Sequence, residues 1–191
     1  MHPRPPERLP LDGVILRRYR ADDAPALATA CRASRAELEP WMAWATDEGL
    51  TEAALAAFIA ETTARTAAGH EVVYGLFDPA DGTCLGGCGL HHRGDAQGHV
   101  EIGYWLRSDA TGRGLMTRTV AVLCDLALGL DGVTGVEVRC DATNTSSAAV
   151  PRRLGFTFTG LVAREPTAPA DTDHEMVWLR TGPVGALSPH P

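Results

Sequence analysis

The alternation of apolar and polar residues divides the chain into predicted strands and helices. A two-residue alternation rich in β-branched and aromatic residues predicts strands, whereas apolar residues recurring every three or four positions predict amphipathic helices. The pattern predicts strands beginning at Val14 and over residues 71–77, 83–90, 99–106, 132–140, 156–162 and 174–179. It predicts helices from Asp22 or Asp23 to about Arg32, after a cap at Thr51, over residues 114–128 and over residues 145–154.

The order of these segments predicts the fold class. Residues 78–82 form a turn signal between two strands, so the first half of the sheet is expected to be a hairpin. Strands that come first in hairpins and then alternate with helices predict an α+β domain with a mixed sheet. We expect one domain over residues 11–180, with flexible tails at residues 1–10 and 181–191 and a flexible loop at residues 166–173.

Composition and charge narrow the class of partner. The 191 residues are 45% hydrophobic and 21% charged, as in an ordinary globular domain. With a net charge of −7, the chain shows no basic face of the kind that nucleic-acid binding needs. This negative charge suits a cationic acceptor. No segment approaches the roughly 18 apolar residues of a membrane span, and the first residues do not form the apolar run of a signal peptide. We therefore expect a cytoplasmic protein without nucleic-acid or membrane partners, and a homodimer stays open.

The cysteines and histidines do not suggest a metal site. The chain has five scattered cysteines, which are interpreted as small buried apolar residues of a reducing compartment: Cys31, Cys84, Cys88, Cys124 and Cys140. The pair His91 and His92 is interpreted as a strand end or a loop, because no further ligand completes a zinc set. We expect no metal.

Residues 110–117, which directly follow a predicted strand, carry the clearest chemistry. Gly112 and Gly114 bracket Arg113 in a turn that leads into a helix. Such a turn presents unpaired backbone N–H groups and the positive end of a helix to an anion. Its spacing matches neither a P-loop nor a dinucleotide-binding turn. We expect it to hold the diphosphate of coenzyme A, the ligand that the family resemblance described below implies. A strand-to-helix turn also needs glycine for its backbone alone, and that interpretation stays open.

Two longer stretches, HVEIGYWLRSDATGRGLMTRTVAVL and GVEVRCDATNTSSAAVPRRLGFTFTG, resemble the GNAT N-acetyltransferase superfamily, and within it the RimJ/RimL-like branch. LPLDGVILRRYRADDAPAL is similar to that branch's first strand and helix, and EPWMAWA to its acceptor-side segment. The resemblance spans roughly residues 9–180. It implies a GNAT-like mixed, largely antiparallel central sheet with helices on both faces and splayed central strands. It also implies acetyl-CoA as cosubstrate.

The resemblance implies where the cosubstrate binds. Exposed strand backbone would meet the pantetheine around Trp105, Leu106 and Arg107. The glycine-bracketed loop and helix start would hold the pyrophosphate through Gly112, Arg113, Gly114, Leu115, Met116 and Thr117. Thr111 and Met116 depart from the superfamily's Gln/Arg-x-x-Gly-x-Gly/Ala pattern, so these contacts rest on backbone N–H groups. Gly103 marks either a bulge or close approach in the strand, or room for a neighbouring side chain.

Asn144 and Ser147 open a predicted helix and carry the next candidate chemistry. Its residue type and position by themselves predict that Asn144 is the N-cap of this helix. The resemblance implies that it also contacts the pantetheine and that Ser147 donates a proton to the leaving thiolate. Pro151 cannot supply the helical hydrogen bond to the Ser147 carbonyl, so we expect a kink that loosens Ser147.

Glu101 is the candidate base, because it shares a strand face with Gly103 and Trp105. An ion pair with an Arg of a neighbouring strand is the structural alternative for Glu101. Glu165, His174 or a water chain are alternatives for the base.

Near the predicted acceptor side, Trp41 and Trp44 lie between two carboxylates, Glu39 and Asp47. Aromatic faces beside carboxylates suit a cation with an apolar body, although two tryptophans could equally pack a helix corner.

The predicted function is acetyl-CoA-dependent N-acetyl transfer to a primary amine by direct attack on the thioester. The acceptor would be a protein N-terminal α-amine or a small-molecule amine. The altered loop positions support a second hypothesis, an acyl-CoA-binding sensor or structural module without turnover.

Overall fold

The computed structural model describes residues 5–92 and 97–184. Its strands are β1 (Arg8–Leu11), β2 (Val14–Arg18), β3 (Glu71–Phe77), β4 (Cys84–His92), β5 (His99–Leu106), β6 (Gly135–Asp141), β7 (Thr157–Ala163) and β8 (His174–Arg180). Its α-helices are α1 (Ala24–Ala33), α2 (Arg35–Leu38), α3 (Glu52–Ala67), α4 (Leu115–Leu128) and α5 (Thr145–Arg153). Short 3₁₀ turns cover Ala21–Asp23 and Ser108–Ala110. In the part of the chain so described, the strands form one eight-stranded sheet in the order β1-β2-β3-β4-β5-β6-β8-β7.

The pairing of β5 with β6 differs from every other pair in this sheet. It is parallel, whereas the others are antiparallel. It is also short: Cα partners run from His99 with Gly135 only as far as Glu101 with Glu137. Both strands continue beyond those residues, so they diverge and open the middle of the sheet. The predicted mixed, largely antiparallel sheet with splayed central strands is confirmed.

Helices cover both faces of the sheet. α4 and α5 pack on one face, over a core that includes Leu16, Tyr74, Leu90, Ile102 and Leu123. α1 and α3 pack on the other face, over Tyr19, Leu27, Leu55, Ile59 and Phe77. The gap between β5 and β6 therefore lies between two helical layers. None of the helices in the described ranges is long and apolar enough to cross a membrane.

Side-chain caps account for two of the helix starts. The Thr51 hydroxyl accepts a hydrogen bond from the N–H of Ala54, and the Asn144 side chain accepts one from the N–H of Ser147. Asp23 does not cap α1 in this way. Its carboxylate instead accepts the N–H of Arg20 at 2.7 Å and pairs with the Arg17 guanidinium at 2.6 and 2.7 Å.

The predicted tail boundaries need correction. Residues 8–10 belong to β1, which pairs with β2, because their backbone completes the edge of the sheet. At the other end, the N–H of Val184 donates to Asp125 and the Arg180 guanidinium donates to the carbonyl of Gly182, so the first residues of the predicted C-terminal tail are held against the domain. The rest of the predicted tails, residues 1–4 and 185–191, lies outside the described residues.

Candidate active site

A cleft of about 700 Å³ opens where β5 and β6 part. Its walls include residues 101–105 of β5 and 139–141 of β6, which extend beyond the last strand pair. The cleft brings together the predicted site residues Trp41, Trp44, Glu101, Trp105, Asn144 and Ser147. These residues come from segments up to about 100 positions apart in the chain, and the divergence of the two strands gives them a common space.

Three glycines form part of the cleft floor. A Cβ atom on Gly87 would lie 2.7 Å from Trp105 Nε1, and one on Gly89 would lie 2.8 Å from His91 Nε2. A Cβ on Gly103 would lie 3.6 Å from the same His91 nitrogen. The pairing of β4 with β5 runs through Gly103 without a register shift, so the bulge interpretation of this glycine is wrong. A Cβ on Gly103 would reach only ordinary contact distance from the His91 ring, so close approach of another group to this strand stays a prediction.

Ser147 is held by a residue that the sequence analysis did not select. The Tyr104 hydroxyl donates a 2.8 Å hydrogen bond to the Ser147 carbonyl, and the Ser147 hydroxyl lies 3.4 Å from the same phenol oxygen. Burial raises the pKa of Tyr104, which keeps the phenol protonated as a donor. Pro151 lies inside α5 and has no N–H for the Ser147 carbonyl. The Tyr104 hydroxyl therefore replaces the missing helical donor. This hydrogen bond offsets the loosening of Ser147 that Pro151 was expected to cause.

Cys140 is the second residue that was missed. Four of the cysteines are buried as expected, but Cys140 is only partly buried. It lines the cleft, as the buried Cys31 and Cys88 also do. Burial raises its pKa to about 11, and a hydrogen bond with Ser147 partly offsets that effect. A thiol beside Ser147 therefore marks the part of the cleft where the predicted proton donor lies.

The predicted pyrophosphate loop lies outside the cleft lining. Gly112 and Gly114 have φ angles of +77° and +69°, a conformation that favours glycine. Gly114 is the N-cap of α4 and provides no side-chain cap, so the first N–H groups of the helix stay available to an anion. The side chains of Leu115 and Met116 are buried, so only their backbone could meet a phosphate. Arg113 donates to the carbonyl of Asp109.

The direction of the backbone groups at the end of β5 shows which of the three predicted pantetheine-binding residues could reach the gap. The N–H of Arg107 donates to the carbonyl of Leu85 at 2.7 Å, so it points toward β4 and away from the gap. The Arg107 guanidinium pairs with Asp109. Backbone groups of alternate residues point to opposite strand edges, which directs those of Tyr104 and Leu106 into the gap and those of Trp105 toward β4. Of the three expected positions, Leu106 therefore has its backbone directed to the gap.

The two tryptophans of the predicted acceptor-side segment, Trp41 and Trp44, line the cleft, and Trp44 is 39% exposed. The Trp44 ring meets the Trp105 ring edge-on at 6.2 Å. The flanking carboxylates have another role: Glu39 and Asp47 both pair with Arg35, and neither lines the cleft. The carboxylates that do line it are Glu61, Glu71, Glu101, Asp141 and Asp171.

The segment predicted as a flexible loop between the last two strands is fastened at several points. The Asp171 carboxylate accepts the N–H groups of Thr167 and Ala168 at 3.0 Å and pairs with Arg164. The N–H of Ala170 donates to the carbonyl of Pro40, which joins the loop to the segment that contains Trp41 and Trp44. Arg164 and Asp171 thereby form part of the cleft wall.

Asp141 joins this loop to β6. Its carboxylate accepts the N–H and hydroxyl of Thr143 at 2.8 and 2.7 Å, and the N–H and hydroxyl of Thr172 at 2.6 and 2.9 Å. Burial alone would raise the pKa of Asp141, but these four hydrogen bonds lower it to about 2. The carboxylate therefore stays ionised and structural at neutral pH.

The candidate bases are not equally placed. Glu101 lines the cleft, as predicted, whereas Glu165 and His174 are not part of its lining. His174 contacts the exposed Asp173. Directly opposite Glu101 in the β4–β5 ladder lies His91, which also lines the cleft. His91 Nδ1 lies 3.1 Å from Glu71 Oε2, and Arg65 pairs with the other oxygen of Glu71 at 3.1 Å. Among the described residues, no group of three or more potential ligands could hold a metal ion.

Comparisons with known proteins agree with this architecture. A family model described as an acetyltransferase (GNAT) domain matches residues 14–157. YdaF of Bacillus subtilis (strain 168), whose name gives it provisionally as a ribosomal N-acetyltransferase, is 25% identical over 165 residues, which cover 86% of this chain and 88% of YdaF.

Solved structures share the fold at lower identity. RimL, a ribosomal L7/L12 α-N-protein acetyltransferase solved with coenzyme A in a disulfide with one of the enzyme's cysteines, superposes with a TM-score of 0.82 at 20% identity, covering 92% of this chain and 98% of RimL. The microcin C7 self-immunity acetyltransferase MccE, solved with acetyl-CoA and AMP, gives a TM-score of 0.81 at 17% identity, covering 90% of this chain and 93% of that one.

Proposed function

Because the chain belongs to the GNAT acetyltransferase family, as the match over residues 14–157 shows, we propose that it transfers an acetyl group from acetyl-CoA to a primary amine in the cleft between β5 and β6. The observation that carries this proposal is the divergence of β5 from β6 beside a helix N-terminus without a side-chain cap. A strand edge suits the amides of pantetheine, and the α4 N-terminus suits a pyrophosphate.

The residues around the gap fit an extended thioester cosubstrate. The first N–H groups of α4 and the turn at Gly112 and Gly114 would hold the pyrophosphate, with Arg113 adding positive charge. Backbone groups of Leu106 would meet the pantetheine together with the Asn144 side chain. When bound, acetyl-CoA supplies the acetyl group as a thioester, whose leaving group is the coenzyme A thiolate. Ser147, held by Tyr104, would donate its hydroxyl proton to that sulphur.

The cleft and the named relatives support a proposal for the acceptor class. YdaF and RimL are named for ribosomal proteins, and RimL for an α-amine at a protein N-terminus. We propose the same class here, a protein N-terminal α-amine. An ammonium group with an apolar neighbour suits a cleft that has Trp41 and Trp44 on one wall and several carboxylates on others.

Direct attack needs few residues. The ammonium loses one proton to a base in the cleft, and the neutral amine nitrogen bonds to the thioester carbonyl carbon as the C–S bond breaks. Ser147 Oγ–H protonates the sulphur, and the second proton of the attacking nitrogen returns to Ser147. The products are an amide, a free thiol and the proton held by the base, so charge and atoms balance.

The test is release of coenzyme A thiol from acetyl-CoA with a panel of amines: peptides with N-terminal serine or alanine, a polyamine, free amino acids and an aminoglycoside. We expect thiol release that depends on the acceptor, with the acetylated amine identified by mass spectrometry. Ser147→Ala should lower kcat by about 100-fold or more while cosubstrate affinity stays near the wild-type value. Acetyl-CoA binding without release for any amine would contradict the proposal and favour the sensor hypothesis.

A further inference from the structure

His91 has one nitrogen engaged and the other directed over the cleft floor. Its Nδ1 lies 3.1 Å from the Glu71 carboxylate, whose side chain is 7% exposed. Its Nε2 is the nearest atom to the Cβ positions of both Gly89 and Gly103. An ionised carboxylate can only accept a hydrogen bond, so Nδ1 carries a proton, and in the neutral ring Nε2 then has the lone pair. In its neutral form, the His91 ring is therefore the tautomer that a general base in the cleft requires.

We propose that His91 is the general base of the transfer, and that Glu71 positions it. The inference rests on the proposed function, because the proton that His91 would remove is that of the ammonium acceptor. His91 Nε2 takes that proton before the nitrogen attacks the carbonyl carbon, and the imidazolium later releases it to solvent. Glu71 holds the ring and stabilises the charge that the ring gains.

The backbone arrangement supports this role. His91 and Glu101 are directly opposite on neighbouring strands, so their side chains share the cleft face about 5 Å apart at Cβ. The next position along that face is Gly103, and the one after it is Trp105. The imidazole thus lies in the same row as the ring of Trp105, which meets Trp44 of the acceptor side.

The charged surroundings of His91 come from four elements. Glu71 contacts the ring from β3, and Arg65 of α3 binds the far oxygen of Glu71. Glu101 faces it from β5, and the cleft wall adds Glu61 of α3 and Arg139 of β6. Arg139 pairs with Glu137 and Glu175. In this arrangement Glu101 supplies negative charge for binding the ammonium, and His91 removes its proton.

The kinetic test compares His91→Gln, His92→Gln, Glu71→Gln and Glu101→Gln with the wild type, using a peptide with a free N-terminal serine and acetyl-CoA. His92 is the matched control, since it neighbours His91 but does not line the cleft. We expect His91→Gln to lower kcat/KM about 100-fold at pH 7, and the loss to shrink as the pH rises past about 8, where an α-amine is already neutral. His92→Gln should stay within twofold, and Glu101→Gln should raise the acceptor KM while keeping the acid limb of the pH profile.

A spectroscopic readout is independent of turnover. The ¹⁵N shifts of His91 in the wild-type protein should show a protonated Nδ1 and an unprotonated Nε2, and Glu71→Gln should abolish that tautomer preference. The inference is overturned if Nε2 carries the proton, if His91→Gln stays within threefold of the wild type, if its loss is equal at every pH, or if Glu101→Gln alone shows the pH signature. Absence of amine-dependent thiol release in the wild type would instead overturn the proposed function.

Discussion

The hydrogen bond from Tyr104 to the Ser147 carbonyl gives the sharpest test of how this site is held together. Pro151 leaves that carbonyl without its helical donor, and the phenol replaces it at 2.8 Å. In Tyr104→Phe the carbonyl loses this donor. An unsatisfied buried polar group costs about 1–3 kcal/mol, so we expect the free energy of unfolding to fall by that amount. We expect kcat to fall as well, because Ser147 Oγ loses its neighbour at 3.4 Å.

A second variant, Pro151→Ala, tests whether Tyr104 replaces the missing helical donor. Pro151→Ala restores an N–H four residues after Ser147, which can bond the same carbonyl. The double variant Tyr104→Phe/Pro151→Ala should therefore recover at least half of the lost stability and part of kcat. Urea unfolding of the four proteins gives the coupling energy, which we expect to exceed about 1 kcal/mol. If the two substitutions are additive within about 0.5 kcal/mol, Tyr104 does not replace the missing donor.

Three further predictions follow. Asp141→Asn should reduce the free energy of unfolding by about 2 kcal/mol at pH 7, the equivalent of lowering the carboxyl pKa from 3.8 to about 2. Because the folded pKa is the lower one, this difference from the wild type should be complete above about pH 4 and vanish as the pH falls to about 2, with the exposed Asp173→Asn showing no such loss. Gly114→Val should weaken acetyl-CoA binding at least tenfold in calorimetry, whereas Gly82→Val, which has a similar positive φ in a remote turn, should leave affinity unchanged. Trp44→Ala should raise KM for the acceptor well above any effect on acetyl-CoA; equal losses for both, or unfolding seen by circular dichroism, would assign Trp44 to the core.

The sequence predicted features that depend on local patterns. The strand–turn–helix at residues 99–128 follows from alternation, two glycines and an apolar helical stripe, and the structure has those elements. The caps at Thr51 and Asn144 follow from residue type and position, and both are confirmed. Resemblance to a family supplied the splayed sheet, which no local pattern encodes.

What the sequence did not predict depends on residues far apart in the chain. Tyr104 has the pattern of an ordinary apolar strand residue, and its role arises only because α5 places the Ser147 carbonyl against it, 43 positions later. Glu71 and His91 meet only through the pairing of β3 with β4. The loop at residues 166–173 has a flexible composition, but its backbone is bonded to Asp171, Asp141 and Pro40, and none of these bonds is visible in composition.

The gap between β5 and β6 is proposed to hold the thioester beside Ser147, and this claim can be tested directly. Cys140 offers a direct measurement, because it is only partly buried and lines the same cleft as Ser147. Incubation with the symmetrical disulfide of coenzyme A at mildly alkaline pH should yield a mixed disulfide by thiol exchange, with one coenzyme A released. Peptide mapping by mass spectrometry should find the adduct on Cys140, and excess acetyl-CoA should suppress it. An adduct on Cys84 or Cys124, which are outside the cleft lining, or one on Cys140 that acetyl-CoA does not suppress, would contradict the claim.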